Sequence, residues 1–346
     1  MHAGATRKTV AKSAGVSEST VSRALSGSSL ISEETRSKVQ KAAESLFYIP
    51  NQQASLLARK KTFRLGLVVP YYKSIPTFSR SYFPVLLDGT VSFAEERGYS
   101  VTIILDKQGD QFKNLPLLVK RKEIDGLLIS ILCKEDPRIH DLLQENIPFV
   151  LVNSVVENAF CVDNNPEPGM RLAIHYAREM GHQKIGFIAG DMNYHNAGER
   201  FSFFRNLAGE FGFDYTIEEG NFSKTSGYYA AGKLLQADPR PTLIMTSSDR
   251  EALGVLEYCR DHKINIPSDI SLIGFDNLDP AGYVYPSLTT INNPIRGVAA
   301  EGARLLIDII EGKEKEPRVV RLDTGFVVRQ SSGKAPNENL VNNTNQ

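Results

Sequence analysis

The chain has 346 residues, enough for two or three domains that each bury a core of their own. A composition of 41% hydrophobic and 23% charged residues excludes a disordered or fibrous protein. The net charge is zero, yet residues 1–63 carry ten Lys and Arg against four Glu, whereas the rest carries 30 against 36 acidic residues. This asymmetry predicts a basic head that binds a polyanion and an acidic body that does not.

Two short helices are predicted at the start of the chain. The first has an apolar face within residues 10–14 and ends at Gly15, because glycine adopts a left-handed conformation without steric cost. Ser17 can cap the second helix, which runs from Glu18 to about Leu25. Small residues between the two helices allow them to cross closely, so the spacing is that of a helix-turn-helix.

A third helix is predicted after Ser32, with two Glu at its positive end and apolar residues at helical spacing up to Leu46. Residues 48–51 end it. The segment 52–61 has enough helical character for one more short helix, but too little apolar surface to hold it in place.

From residue 64 onward, apolar runs alternate with amphipathic segments. The apolar runs have the length of strands and cover residues 65–69, 101–105, 126–131, 149–152, 185–189, 243–246 and 271–275. Helical periodicity is found in between, for example at 85–97, 167–180 and 298–311. Continuous apolar strands separated by helices are typical of parallel sheets covered on both faces. About 265 residues are too many for one such core, so two doubly wound lobes are predicted.

The cysteines and the N-terminus restrict the cellular setting. Cys133, Cys161 and Cys259 are scattered and odd in number, so neither a disulfide framework nor a metal site is predicted. The first residues are basic but lack the apolar core of a signal peptide, and no apolar run is long enough to span a membrane. We therefore expect a cytoplasmic protein with no membrane partner.

The exposed face of the second helix carries groups that can hydrogen-bond base edges in a major groove. These groups belong to Glu18, Ser19, Ser22 and Arg23. A generic helical hairpin with a solvated face is the alternative interpretation. The basic head favours DNA binding over that alternative.

With these motifs the sequence resembles the LacI/GalR family of bacterial transcription regulators. The matching motifs are A-G-V-S-x-x-T-V-S-R at 14–23, S-E-E-T-R at 32–36, Y-x-P-N at 48–51, V-D-N at 162–164, G-H-x-x-I at 181–185, I-P-x-D-I-S-x-I-G-F-D at 266–276 and L-T-T-I at 288–291. The resemblance implies a small all-α helix-turn-helix head and an α/β core of two doubly wound parallel-sheet lobes, similar to periplasmic binding proteins.

The resemblance also implies a domain division. Residues 1–50 would form the DNA-binding head and 51–63 a hinge helix or linker. Residues 64–163 and 293–322 would form the N-terminal core subdomain, and residues 164–292 and 323–330 the C-terminal one. Residues 331–346, which are polar and rich in Asn, are predicted to be a disordered tail without leucine heptads.

Residues for DNA contact follow from the same comparison. The hinge motif places Leu57 where relatives insert a leucine between base pairs, which bends DNA at a cost of a few kcal/mol of unstacking. Packing against a second subunit is the alternative role for such a leucine. Family hinges often carry arginine where this chain has Ser55. The candidate DNA contacts are Ser17, Glu18, Ser19, Thr20, Ser22 and Arg23 in the head, and Asn51, Ser55 and Leu57 in the hinge.

Effector contacts are implied in the core. Arg200 and Asp276 match the family positions that bind effectors, and a guanidinium with a carboxylate suits adjacent sugar hydroxyls. Each alone could be structural, as a surface ion pair or a helix cap. Asp249 is a weaker match because Ser248 precedes it where relatives commonly have asparagine. Tyr82 and Phe83 are expected to face the ligand from the first lobe.

The loop at residues 71–81 is longer than usual for the family. It is aromatic and basic, and it is expected to lie over the cleft, with Tyr72 as a candidate for stacking on a sugar. Lys73 or Arg80 could meet an anionic group. A flap that contacts no ligand is the alternative, and the sequence does not separate the two.

The prediction is thus a homodimeric, sequence-specific DNA-binding regulator, a repressor of carbohydrate genes. Its two heads would read a pseudo-palindromic operator, and a small carbohydrate or sugar phosphate would bind between the subdomains. No catalytic motif, cofactor or metal site is predicted. An effector that acts as co-repressor, or a partner-activated regulator, remains open. A sugar-binding protein without DNA function would not explain the head.

Overall fold

The computed structural model describes residues 5–26, 28, 30–48, 61–71, 77–79, 81–107, 115–130, 133–134 and 136–336. The chain divides into two compact units, Met1–Thr62 and Phe63–Gln346. The first is the head and the second is the core.

The head contains three helices: α1 (Arg7–Ala14), α2 (Glu18–Leu25) and α3 (Glu33–Ser45). Their starts are fixed by side-chain caps, since the hydroxyls of Thr6, Ser17 and Ser32 each accept a hydrogen bond from a first-turn amide. Gly15 ends α1 with φ of +67°. The three predicted helices are confirmed, and so are the predicted end of α1 at Gly15 and the predicted cap of α2 at Ser17.

The three helices share one small core. Val10, Val21 and Val39 contribute one fully buried side chain from each helix, and alanines fill the space between them. Alanine allows the helix axes to approach closely, which explains how so short a unit closes a core. The hinge residues Asn51, Ser55 and Leu57, and nearly all of the short helix predicted at 52–61, lie outside the described residues.

Lobe 1 of the core is built on a six-stranded parallel sheet with the order β11-β5-β4-β3-β1-β2. Its strands are β1 (Arg64–Pro70), β2 (Ser100–Asp106), β3 (Gly126–Ser130), β4 (Phe149–Val152), β5 (Cys161–Asn165) and β11 (Val319–Asp323). Its helices are α4 (Tyr82–Glu96), α5 (Leu115–Lys120), α6 (Arg138–Gln144) and α12 (Ile295–Ile310). A 3₁₀ turn, Thr77–Ser79, precedes α4.

Lobe 2 repeats the plan with the strand order β12-β10-β9-β8-β6-β7. Its strands are β6 (Lys184–Ala189), β7 (Asp214–Glu219), β8 (Leu243–Thr246), β9 (Ser271–Asp276), β10 (Thr289–Asn292) and β12 (Gly325–Val327). Its helices are α7 (Pro166–Glu179), α8 (His195–Phe211), α9 (Lys224–Leu235), α10 (Asp249–Asp261) and α11 (Pro280–Tyr283). Only β12 departs from the predicted parallel arrangement within this sheet, because it pairs antiparallel with β10.

The chain passes between the lobes three times. It leaves lobe 1 after Asn165, returns after Asn292, and crosses again at Thr324 between β11 and β12. The central strands are buried along their length, and each sheet has an apolar cluster on both faces. The two doubly wound lobes predicted from the apolar runs are therefore confirmed.

Two glycines let α9 and α10 touch backbone to backbone. A Cβ on Gly254 would lie 2.0 Å from the carbonyl oxygen of Lys224, and one on Gly227 would lie 2.1 Å from that of Glu251. Neither position tolerates a side chain without moving a helix. This contact matters for the site, because it places the first turn of α10 beside the chain that precedes α9.

The predicted disordered tail is partly wrong. Residues 331–336 are ordered and packed on lobe 2: Ser331 is fully buried, and its hydroxyl accepts from the Thr289 amide at 2.8 Å and donates to the Leu272 carbonyl at 2.7 Å. Further on, His182 Nε2 lies 3.1 Å from the Gly333 carbonyl. Polar composition misled the prediction, because these side chains satisfy buried backbone groups. Residues 337–346 lie outside the described residues.

Among the residues that the structure describes, none of the helices combines the length and hydrophobicity that a membrane span requires.

Candidate functional site

A cavity of about 380 Å³ lies between the two lobes. Lobe 1 contributes the start of α4 and the residues just before it, whereas lobe 2 contributes most of the wall. The lining residues are Ser79, Ser81, Tyr82, Phe83, Tyr194, Asn196, Arg200, Phe222, Lys224, Ser248, Asp249, Arg250, Leu253, Asp276, Leu278 and Pro280. Much of this wall follows the carboxyl ends of strands, where parallel sheets bind ligands.

Five of the six candidate effector residues meet at this cavity. They are Tyr82, Phe83, Arg200, Asp249 and Asp276. The sixth, Tyr72, lies outside the described residues, as do Lys73 and Arg80 of the long loop. Arg200 lies in α8, whose first residue is His195.

Arg200 is buried and held from several sides. Its Nη1 donates to the Ser247 carbonyl at 2.5 Å, and its Nη2 lies 3.4 Å from Asp276 Oδ1. Its guanidinium carbon is 3.8 Å from the ring centre of Phe275, a cation–π distance. Its Nε is buried without a hydrogen-bond partner among the described residues. A buried donor at a cavity wall is satisfied when a ligand supplies an acceptor.

Asp276 ends β9 in a strained turn. Its backbone φ is +125° and that of Asn277 is +56°, values that residues other than glycine rarely adopt. Asn277 is fixed in this turn because its side chain bonds Asn292 at 2.9 Å and Arg329 at 2.7 Å. Such strain is frequent at ligand sites, where the surrounding structure maintains it.

The carboxylate of Asp276 has two partners on one oxygen. Oδ1 faces Arg200 and also accepts from Asn293 Nδ2 at 3.0 Å, whereas Oδ2 accepts no hydrogen bond within the described part of the chain. Burial raises the pKa of Asp276, and Arg200 and Asn293 oppose that rise. Oδ2 is thus the oxygen that can accept from a ligand hydroxyl.

Asp249 lines the same cavity but already has partners in the fold. Its two oxygens accept from Thr290 Oγ1 at 2.5 Å and from the Leu278 amide at 2.8 Å. Burial, with the nearby charge of Asp276, raises its pKa to about 7. The structure therefore gives Asp249 a role in shaping the wall, and its contact with a ligand stays a prediction.

The aromatic wall extends beyond the sequence predictions. Phe83 is largely a core residue of lobe 1, and the Tyr82 ring meets it edge to face at 5.3 Å. Tyr194 and Phe222 add aromatic faces from lobe 2, and the Phe222 ring centre is 6.0 Å from the Arg200 guanidinium. Sequence reasoning missed both, because neither follows an apolar run. Leu278 reaches across from lobe 2 into the core of lobe 1.

Glu251 is a third missed residue, located behind the wall. It is fully buried; Oε1 accepts from the Phe222 amide at 2.9 Å, and Oε2 lies 3.0 Å from Ser248 Oγ. Burial raises its pKa to about 8. Glu251 therefore holds in place two residues that do line the cavity.

One group of side chains has the composition of a metal site. Ligand atoms of Asp163, His195 and Glu199 all lie within 4.8 Å of one another. Arg321 already occupies this region, bonded to Glu199 and 3.6 Å from Asp163. The group is therefore an ion-pair cluster, and we assign no metal to it.

The head displays the candidate DNA contacts on one helix. Glu18, Ser19, Ser22 and Arg23 are exposed on α2, as expected for side chains that read base edges. The hydroxyl of Ser17 lies 2.7 Å from that of Ser19 and 2.9 Å from that of Thr20, and it caps α2. Ser17 and Thr20 thus have a local structural role whether or not they contact DNA.

Comparison with known proteins matches each of the two units to a family model. Residues 6–51 match the model for "Bacterial regulatory proteins, lacI family", and residues 174–332 match the "Periplasmic binding protein-like domain". The HTH-type transcriptional repressor PurR of Vibrio vulnificus is 31% identical over 343 residues, covering 95% of this chain and 99% of the relative. The HTH-type transcriptional regulator CelR of Thermobifida fusca is 30% identical over 333 residues, covering 94% and 98%.

Solved structures agree with these matches. A complex of the transcriptional regulator CelR with cellobiose has a TM-score of 0.73 at 29% identity, covering 95% of this chain and all of the other. A Lac repressor dimer bound to operator has a TM-score of 0.82 at 24% identity, covering 95% and 99%, which supports the fold alone.

Proposed function

Because the chain belongs to the LacI family of bacterial regulatory proteins, and is therefore a DNA-binding transcriptional regulator rather than an enzyme, we propose that it is a repressor controlled by a carbohydrate bound between its lobes. The effector is a small sugar or sugar phosphate. The genes that it controls serve carbohydrate use.

The observation that carries this proposal is the pairing of Arg200 with Asp276 on the wall of the interlobe cavity. Adjacent sugar hydroxyls can accept from the guanidinium and donate to Asp276 Oδ2. The aromatic rings beside them suit the apolar faces of a sugar ring, and the cavity volume falls within the range of small-molecule sites. A related regulator, CelR, forms a complex with cellobiose.

The exposed face of α2 reads the operator. Glu18, Ser19, Ser22 and Arg23 enter the major groove, and the segment 51–63, with Asn51, Ser55 and Leu57, contacts the minor groove and bends the DNA. Two heads bind half-sites about one helical turn apart, because one head buries too little DNA surface for specific affinity. A regulator of chromosomal operators works in the cytoplasm, associated with the nucleoid.

Two apolar surfaces of the core support a homodimer. On β2, an edge strand, Ile103 and Leu105 are exposed. On lobe 2, the rings of Tyr283 and Tyr285 are about nine-tenths exposed. Exposed apolar surface of this kind is typical of interfaces. We assign both surfaces to contact with a second copy of the chain.

Gel-shift with genomic fragments, repeated with a panel of sugars and sugar phosphates, tests the proposal. Selective retention of a few fragments, altered by one sugar, supports it. Release of DNA by the sugar identifies an inducer, and tighter binding identifies a co-repressor. Sugar binding without any fragment selection would instead indicate a sugar-binding protein without DNA function, and would overturn the proposal.

A further inference from the structure

An ion pair joins the two lobes near the start of α8. The guanidinium of Arg321, on β11 of lobe 1, donates to both carboxylate oxygens of Glu199 in lobe 2, with distances of 2.9 and 2.7 Å. This two-bond geometry fixes orientation as well as distance. Most ion pairs on a protein surface contribute little, but well-formed pairs of this type are the exception.

Arg321 is anchored to its own lobe. Its Nη1 also donates to the Asn164 carbonyl at 2.7 Å and lies 3.6 Å from Asp163 Oδ2. Asp163 is fully buried, and its Oδ2 accepts no hydrogen bond from the described residues, so Arg321 is the nearest source of compensating charge. The guanidinium is therefore held by lobe 1 and is directed at lobe 2.

The first two turns of α8 connect this ion pair to the cavity. Glu199 directly precedes Arg200, and Asn196, one turn earlier, also lines the cavity. Just before the helix, the Asn193 carbonyl accepts from the Lys134 amide of lobe 1 at 2.8 Å. The same short segment thus carries ligand-facing side chains and contacts with the opposite lobe.

This arrangement differs from an ordinary surface pair in the same helix. At the other end of α8, Glu210 accepts two bonds from Arg171 of α7, at 2.6 and 3.2 Å, but both helices belong to lobe 2. Of these two pairs, only the Glu199 pair joins the lobes and can respond to the angle between them. The Glu210 pair therefore serves as a matched control.

We propose that Glu199 and Arg321 form an interlobe clasp, a positioning pair that holds Arg200 opposite Tyr82 and thereby raises affinity for the effector. The clasp contacts no ligand. It stabilises the lobe arrangement in which the two walls of the cavity face each other, and this role rests on the proposed function of the cavity.

Hydrogen exchange in the full-length, ligand-free protein tests the clasp, with the Lys134 amide as reporter because its partner lies in the other lobe. Glu199→Gln should speed exchange of the peptide containing Lys134 by about fivefold, the effect expected for one well-formed pair. Arg321→Lys, which keeps a positive charge beside Asp163 but loses the two-bond geometry, should also speed exchange of that peptide. Glu210→Gln should leave that peptide unchanged.

Exchange at Lys134 that is the same in Glu199→Gln as in the parent would overturn the clasp, as would an equal increase in Glu210→Gln. Calorimetry with cellobiose then tests the link to the cavity. Weaker binding in Glu199→Gln, with parent-like binding in Glu210→Gln, supports it, and unchanged binding in Glu199→Gln overturns the positioning role. If the parent binds no cellobiose, the choice of sugar is wrong, but the exchange result still decides the clasp.

Discussion

Nη2 of Arg200 lies 3.4 Å from Oδ1 of Asp276, whereas Nη1 of the same guanidinium is only 2.5 Å from the Ser247 carbonyl. Charge-assisted pairs at their strongest are about 2.7–2.9 Å apart. The backbone after β8 and the ring of Phe275 therefore fix Arg200 more firmly than the carboxylate does. Asp276 keeps capacity to bind a ligand hydroxyl while Arg200 stays in place.

Asp276→Asn tests this division of roles. The substitution keeps the shape but replaces a charged acceptor, and hydrogen bonds to charged groups contribute about 1.5–3 kcal/mol. Effector affinity measured by calorimetry should fall roughly ten- to a hundredfold, with ligand-free operator affinity nearly unchanged. Asp214→Asn, at an exposed position at the start of β7, is the control. Equal effector affinity in Asp276→Asn and the parent would reduce Asp276 to a structural residue.

Arg23→Ala tests the recognition helix. Arg23 is exposed on α2, and loss of a base contact typically costs about 1–3 kcal/mol. Fluorescence anisotropy at one fixed salt concentration should show weaker operator binding and reduced discrimination between operator and random DNA. Lys38→Ala, which removes an exposed partner of Glu34 on α3, is the matched control. Parent-like operator affinity after Arg23→Ala removes this residue from the interface.

Two truncations test the packing of residues 331–336, which were predicted to be disordered because of their polar composition. A chain ending at Gln330 loses the Ser331 bonds to Thr289 and Leu272 and leaves those buried backbone groups unsatisfied, each at about 1–3 kcal/mol. Its melting temperature should drop by several degrees. A chain ending at residue 336 keeps these bonds and should melt with the parent. Equal melting of the two truncated chains would contradict the assigned packing.

Glu251→Gln tests the buried carboxyl behind Phe222 through pH. The pKa of Glu251 is about 8 in the folded protein and near 4.5 when unfolded, so unfolding releases a proton between these values. The free energy of unfolding of the parent therefore loses a contribution as pH rises from about 4.5 to 8. As pH rises through this range, the free energy of unfolding of Glu251→Gln should therefore increase relative to that of the parent, by an amount on the order of a few kcal/mol.

Urea unfolding at several pH values from 5 to 9 measures this difference. Glu219→Gln is the control, because Glu219 is exposed on β7. A difference between Glu251→Gln and the parent that does not vary with pH would show that the Glu251 carboxyl titrates normally.

The sequence predicted seven of the strands and the capped helices of the head because their signals are local, whereas the buried strands β5 and β10 carry polar residues and escaped prediction. Runs such as 126–131 and 243–246 are apolar throughout, and Ser17 and Gly15 mark helix ends by well-understood chemistry. The edge strands β7 and β11 escaped prediction, because their partly exposed residues alternate with polar ones. The start of α8 also carried no signal, since Tyr194 precedes it without a side-chain cap.

The candidate site could likewise be predicted from the sequence only in part. Arg200 and Asp276 could be assigned through family motifs, and the structure brings them together at one cavity. Phe222, Glu251 and the pair of Glu199 with Arg321 depend on contacts between segments 29 and 122 residues apart. Such distances in the chain carry no periodic pattern, so tertiary packing alone reveals these residues.

The central claim is that occupation of the interlobe cavity changes binding to DNA, and one titration tests it most directly. Operator affinity is measured by anisotropy with and without a saturating sugar, first on the parent and then on Asp276→Asn. We predict that the sugar changes the operator affinity of the parent at least about fivefold in one direction, which is the lower end of the usual range of allosteric coupling. Asp276→Asn should lose this change at the same sugar concentration. Operator affinity that stays the same while the sugar demonstrably fills the cavity of the parent would contradict the account.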